Sequence, residues 1–242
     1  MELSKRLHAV AGLVTEGASV ADIGTDHGYI PIYLMENGVA GKAIAMDINE
    51  GPLERAREHI EEHGLTGQVE TRLSDGLEAL KRGEADTMIA AGMGGGLVIH
   101  ILEACPEITA DIKYFILQPQ SEIARVRKYL NENGFISIGE DMVEEDGKYY
   151  PMMKLTHGTE ERYSEIELLY GRRLLREKHP VLHRYLLRDL ELKGEIYEKL
   201  KDQSGERIRL RLSELEREQA LLREALACFT CPNPAPGRVS ES

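Results

Sequence analysis

Residues 20–31 read Val20-Ala21-Asp22-Ile23-Gly24-Thr25-Asp26-His27-Gly28-Tyr29-Ile30-Pro31. The apolar run 19–23 predicts a strand, the glycines a turn, and 29–37 a helix. A dinucleotide fold would place G-x-G-x-x-G here, so that a pyrophosphate could approach backbone amides at a helix N-terminus. This chain has G-x-x-x-G instead, flanked by Asp22 and Asp26. Two carboxylates would repel pyrophosphate and favour a cation such as an ammonium or a sulfonium. The glycines allow a ligand close to the backbone. A plain Gly-Asp turn is the competing reading.

The same alternation continues on both sides. Leu3, Leu7, Val10 and Val14 recur at helical spacing, so 3–15 reads as an amphipathic helix. Strands are expected at 42–47, 69–73, 87–91 and 114–117. Helices are expected from Gly51-Pro52 to Gly64, over 76–81, over 94–105 with Pro106 as the stop, and from a Ser121 cap to Asn133-Gly134. Residues 135–143 and 149–155 should form a hairpin around Glu145-Asp146-Gly147. Repeated strand–helix units imply a parallel sheet covered on both faces, with an antiparallel pair at its end.

Beyond Gly158 the strand pattern stops. Residues 160–229 read as long helices, with Pro180 at the first position of one and Asp202-Gln203-Ser204-Gly205 as a turn. Ile208, Leu212, Leu215, Gln219, Leu222, Leu226 and Phe229 follow heptad spacing, answered more loosely by Leu182, Leu186, Ile196 and Leu200. A single seam cannot bury itself, so an antiparallel helical hairpin is expected. The organisation is therefore an α/β domain over 1–157, a helical coiled-coil domain over 158–230 and a disordered tail over 231–242.

The 242 residues carry a net charge of −12, all of it in 1–157. Residues 158–242 balance sixteen cations, mostly Arg, against sixteen anions. Overall acidity disfavours indiscriminate polyanion binding but leaves room for a local phosphate-binding face. Arg172-Arg173 with Arg176, and Arg207, Arg209 and Arg211, could grip phosphates or form surface ion pairs. No apolar run approaches a bilayer span, so no membrane is expected. The three cysteines cannot build a disulfide framework, which points to the cytoplasm. Cys228-x-x-Cys231 lacks two further ligands for structural zinc, and no metal is expected.

Chemistry gathers at the strand ends. Asp47 closes the second strand, where a carboxylate can accept both hydroxyls of a ribose. Asp75-Gly76 follows the third, where a carboxylate can accept an adenine amino group beside a glycine that leaves room for the base. Helix capping is the alternative for both. Gly92-Met93-Gly94 follows the fourth, where backbone can come close to a ligand or simply pack. Three acidic strand ends in succession are harder to ascribe to capping. S-adenosylmethionine carries the ammonium, the sulfonium, the ribose and the adenine that this set would hold. No Asp/Asn-Pro-Pro-aromatic motif stands after the fourth strand, which argues against methylation of an exocyclic adenine amine and leaves a ring nitrogen open.

The segments LSKRL (3–7), VADIGTDHGYIP (20–31), AIAMDINEGPLERA (43–56), RLSDGLEAL (72–80), AGMGGGL (91–97), ILQP (116–119) and EDGKYY (145–150) together resemble the bacterial TrmK family, tRNA adenine-N1 methyltransferases acting at position 22. That resemblance implies a Rossmann-like class I methyltransferase sheet with a C-terminal coiled-coil domain, S-adenosylmethionine as methyl donor, and tRNA as partner. It assigns Asp22, Gly24 and Asp26 to the methionine end. Asp47 falls at the ribose with Ile48 beside it, Asp75 and Gly76 at the adenine, and Gly92 and Met93 at the transferred methyl. Arg6 could pair with the cofactor carboxylate.

N1 of neutral adenine has a lone pair and needs no prior deprotonation. The work lies in positioning and in extruding the base. Asp26 and His27 are candidates at the mouth of the site, with Tyr29 as a stacking surface for the flipped base. Glu144-Glu145-Asp146 reads as a solvated hairpin tip or a substrate contact. Two other functions compete: methylation of a small molecule or protein, and cofactor sensing without turnover. The chain is expected to be a monomer or a weak homodimer through its helical part.

Overall fold

The computed structural model describes residues 1–230 and divides them into two compact units, one over Met1–Tyr163 and one from Ser164 onward. The tail expected over 231–242, with Cys231, lies outside the described residues.

The first unit is built on β1 (Ala18–Ile23), β2 (Ala40–Asp47), β3 (Val69–Leu73), β4 (Thr87–Met93), β5 (Tyr114–Pro119), β6 (Phe135–Glu145) and β7 (Lys148–His157). They form one sheet in the order β3-β2-β1-β4-β5-β7-β6. The first five are mutually parallel, and β7 joins antiparallel to β5 and β6. The order reverses between β1 and β4, so a crevice opens at their carboxyl ends, where ligands of such sheets bind.

Alternation along the strands feeds two layers. From β2, Ile44 and Met46 face a core shared with Leu77, Val98, Leu102, Val126 and Leu130. Ala43 and Ala45 face Ile32, Ala56 and Ile60. Apart from Leu77, which comes from the segment after β3, those residues are supplied by α2 (Tyr29–Glu36) and α3 (Glu50–Glu62) on one face, and by α4 (Gly95–Ala104) and α6 (Ile123–Glu132) on the other. α1 (Lys5–Gly12) buries Val10 and Ala11 beside Val20, Ile116 and Met152, with the Ser4 hydroxyl accepting from Leu7 N at 3.3 Å as its cap. Arg127 and Glu140 form a buried ion pair at 3.1 Å.

Four local expectations change. Residues 76–81 form a turn, not a helix, because Ser74 Oγ accepts from Ala79 N and donates to Gly76 O, closing the segment on itself. Pro106 ends α4 and also begins a further helix, α5 (Pro106–Asp111), as its fixed φ and missing N–H suit a first helical position. Ser121 does not cap α6. Its hydroxyl accepts from Gly95 N, while Glu122, at φ 51, stands at the α6 N-cap. The β6–β7 hairpin is longer than expected, since Asp146 and Gly147 both take positive φ and make a two-residue turn that suits the strands' twist.

The second unit holds α7 (Glu165–Tyr170), α8 (Arg172–Arg176), α9 (Pro180–Leu200) and α10 (Glu206–Thr230). Contacts run from His183–Phe229 through Lys193–Glu218 to Tyr197–Glu216, which makes α9 and α10 an antiparallel pair within one chain. Leu182, Leu186, Leu215, Leu222 and Ala225 are buried. Ala225 replaces Leu226 as the buried seam residue, and Ile196 turns outward with 40% exposure. Gln219 sits in the seam and donates to Lys193 O at 3.3 Å. Arg172 is buried and bonded twice to Glu167, so it faces inward and not toward a phosphate.

Candidate active site

The first βα turn is shaped by backbone as much as by side chains. Gly24, His27 and Gly28 all have positive φ, at 67°, 61° and 72°. A Cβ on Gly24 would meet the Met93 methyl, the mobile end of a side chain, so it is the positive φ of 67° that favours glycine here. A Cβ on Gly28 would lie 3.3 Å from Ala56 Cβ and 3.5 Å from Ala56 Cα, so α3 packs directly on this turn.

Asp22 lies under that turn, 5% exposed. Burial pushes its carboxyl up to about 7, the Thr25 hydroxyl pulls it partly back, and the Asp47 charge raises it further. A carboxyl held at the edge of ionisation in a closed site is ready to receive a cation.

Asp47 Oδ1 accepts from Asn49 N at 2.7 Å and Asn49 Nδ2 at 3.3 Å. This is an Asx turn ahead of α3 rather than a cap of its first amides. Asp47 O also accepts from Ser74 N at 2.8 Å, tying the ends of β2 and β3 together. Beside them opens a cleft of about 390 Å³ lined by Ile48, Leu73, Ser74, Asp75, Glu78 and Ala79. Ile48 and Leu73 are 58% and 54% exposed, unusual for such side chains, and give the cleft two apolar walls next to the Asp75 carboxylate. Gly76 does not open onto this cleft. Its missing Cβ makes room for Ile101, 3.1 Å away, so packing against α4 requires this glycine.

At the end of β4, Gly92 turns at φ 83 and its N–H donates to Gln118 Oε1 at 3.2 Å. The same oxygen accepts from Arg6 Nη1 at 3.0 Å, and the Arg6 guanidinium lies 5.8 Å from the centre of the Tyr150 ring. Gln118 is fully buried. The N-terminal helix thus delivers a cation beside Gly92 through one amide.

Asp26 is largely exposed, 3.2 Å from His27 Nε2 and 3.9 Å from Arg55 Nη2. The His27 and Tyr29 rings turn toward α3, where His59 joins them and its Nδ1 donates to His27 O at 2.9 Å.

The structure therefore places Asp22, Gly24 and Met93 in one crevice, links Asp47 with the Ile48–Asp75 cleft, and seats Arg6 against Gly92. Asp26, His27 and Tyr29 form a separate rim against α3. Sequence reasoning missed Gln118, Arg55 and His59. Gln118 carried a usable signal, a polar residue ending the apolar run Phe115-Ile116-Leu117, as Asp47 ends β2. His59 carried none, because its partner is 32 residues away. Among the described residues no group of three or more His, Cys, Asp or Glu side chains could hold a metal ion, and no helix is long and apolar enough to cross a membrane.

Comparison with known proteins places this geometry. Residues 3–153 match the family model described as a methyltransferase domain. The tRNA (adenine(22)-N(1))-methyltransferase of Bacillus subtilis strain 168 is 37% identical over 232 residues, spanning 93% of this chain and 98% of that protein. The crystal structure of the B. subtilis m1A22 tRNA methyltransferase TrmK is 36% identical with a TM-score of 0.79, covering 93% of this chain and 99% of that one. That of Streptococcus pneumoniae Sp1610, a putative tRNA (m1A22) methyltransferase in complex with S-adenosyl-L-methionine, is 31% identical with a TM-score of 0.82, covering 93% and 100%. With both its sheet and its helical pair matched over nearly their full length, the chain belongs to the TrmK family of tRNA (adenine(22)-N(1))-methyltransferases.

Proposed function

We propose that this protein transfers a methyl group from S-adenosylmethionine to N1 of adenosine 22 in tRNA, giving 1-methyladenosine. The observation that carries the reading is the row of acidic residues at neighbouring strand ends, Asp22 on β1, Asp47 on β2 and Asp75 just past β3, around a turn whose positive φ at position 24 favours glycine. S-adenosylmethionine supplies an electrophilic methyl group on a sulfonium when bound. The residues fit it. Asp22, buried and short of a cationic partner, takes the ammonium. Asp47 takes the ribose hydroxyls, and Ile48 and Leu73 sandwich the adenine while Asp75 accepts from its amine. Arg6 meets the carboxylate beside Gly92.

The chain has little proton chemistry to perform. Fixing the attacking nitrogen in line supplies several kcal/mol, up to roughly 7–11 in favourable cases. Asp26, exposed at the rim, provides negative charge where the adenine ring becomes cationic. Residues 1–157 act as the catalytic domain, and 158–230 as a helical domain that engages tRNA as a monomer in the cytoplasm, through Arg207, Arg209 and the exposed part of the Arg173–Arg176 segment. The test is incubation with methyl-labelled cofactor and an unmodified tRNA transcript, then nucleoside analysis. Label in 1-methyladenosine is expected; label in N6-methyladenosine or in protein, or no transfer, overturns the reading.

A further inference from the structure

The rings of His27, Tyr29 and His59 are arranged in a way the methyl site does not use. Their centroids are 5.2, 5.5 and 5.5 Å apart, and their planes lie within 5°, 21° and 19° of one another. A column of three rings would put its ends about twice as far apart as its neighbours. Three nearly equal separations with nearly parallel planes describe a triangular cluster of offset, mutually stacked rings. The rings are half-buried, so the cluster reaches the surface.

The fold goes to some length to build it. His27 sits in the left-handed region at φ 61, unusual for a residue with a Cβ, and such strain is held only where the surroundings fix it. His59 Nδ1–H, bonded to the His27 carbonyl, is part of what fixes it. That bond puts a proton on His59 Nδ1, because a carbonyl oxygen can only accept. Gly28, closed by Ala56, brings α3 near enough for the bond to form. Arg55, one turn before His59 on α3, lies 3.9 Å from Asp26 and steadies the rim.

We propose that His27, Tyr29 and His59 form a stacking platform for a splayed nucleobase of the RNA substrate, with His59 as the ring that completes it. This rests on the proposed function, and it adds a residue of α3 to the RNA-binding surface of the catalytic domain. A π-face accepts any base, so the platform confers affinity and register without reading sequence. The carboxylate beside it is Asp26, 3.2 Å from His27 Nε2. This favours a base over a phosphate as the occupant.

Two substitutions separate stacking from scaffolding. His59→Phe keeps a ring and loses the Nδ1–H donor, while His59→Asn keeps a donor and loses the ring. The dissociation constant of the tRNA transcript is measured by filter binding, alongside KM for tRNA and the dissociation constant of S-adenosylhomocysteine. Stacking on one ring is worth about 1–3 kcal/mol, so His59→Ala and His59→Asn should weaken tRNA roughly 5- to 150-fold. His59→Phe should stay within about threefold of the parent chain, by the roughly 0.5 kcal/mol scatter of neutral changes. Cofactor affinity should stay unchanged in all three, and Glu58→Ala should alter nothing. The proposal is overturned if Phe weakens tRNA as much as Ala, if Asn restores affinity and Phe does not, or if Ala has no effect. Parent protein that binds tRNA without methylating it would sink the function and leave the platform standing.

Discussion

Lowering the pH from 7 to 5 should weaken cofactor binding about fiftyfold, because a buried proton must leave Asp22 before an ammonium can sit against it. In the free protein the Asp22 carboxyl is pushed up to about 7 by burial. The carboxyl is half protonated at pH 7 and almost wholly protonated at pH 5, so the two units cost about 2.3 kcal/mol. The amino group of the ligand stays protonated throughout this range and does not offset the loss. Titration calorimetry with S-adenosylhomocysteine at pH 5, 6, 7 and 8, in buffers of different ionisation enthalpy, reads both the affinity and the proton released. Asp22→Asn should bind weakly and without pH dependence. Stability moves the opposite way. The unfolded chain loses this proton near pH 3.9 while the folded chain holds it to about 7, so between those values the native state binds more protons. Free protein therefore loses stability from Asp22 as pH rises through this window, on the order of 4 kcal/mol in full. The cofactor should recover part of it. A dissociation constant that is flat from pH 5 to 7, with no buffer-dependent heat, refutes the role given to Asp22.

Three further substitutions probe other parts. Asp47→Ala should raise the cofactor dissociation constant by at least about a hundredfold through two lost charge-assisted bonds of roughly 1.5–3 kcal/mol each. The melting temperature should barely move, because Asn49 is the donor to that side chain and it is exposed. Gln118→Ala removes the shared acceptor of Gly92 N–H and Arg6, and should lower kcat/KM by about 1–3 kcal/mol; Gln118→Glu, which keeps an acceptor, should recover much of it. Arg127→Ala removes the cation of the buried Arg127–Glu140 pair and should destabilise the fold by about 3–5 kcal/mol in thermal or urea unfolding, with cofactor affinity unchanged in the protein that remains folded.

The fold was readable because its signals are local. Val20–Ile23, Ala43–Met46 and Phe115–Leu117 are short, mostly apolar runs followed by glycine, a carboxylate and a glutamine, and each became part of a strand at the expected place. The segment 76–81 misled because Leu77 and Leu80 look helical, while the Ser74 hydroxyl closes a turn that no periodicity reveals. Ser121 misled for a similar reason, since its partner is on another helix. The acidic strand ends were legible as chemistry out of place in apolar strands. The rim was only half legible. Asp26, His27 and Tyr29 are contiguous, yet what they face comes from α3, and Arg55 and His59 enter through a contact set by the absence of a Cβ at Gly28.

The central claim is that this chain methylates N1 of one adenosine in tRNA, and primer extension reads it most directly. A methyl on N1 blocks the Watson–Crick edge, so reverse transcriptase should stop one nucleotide before position 22 on a transcript treated with protein and S-adenosylmethionine. The same transcript carrying guanosine at 22 should be read through. Full read-through of the treated adenosine-22 transcript, or a stop that persists when position 22 is guanosine, would contradict the account.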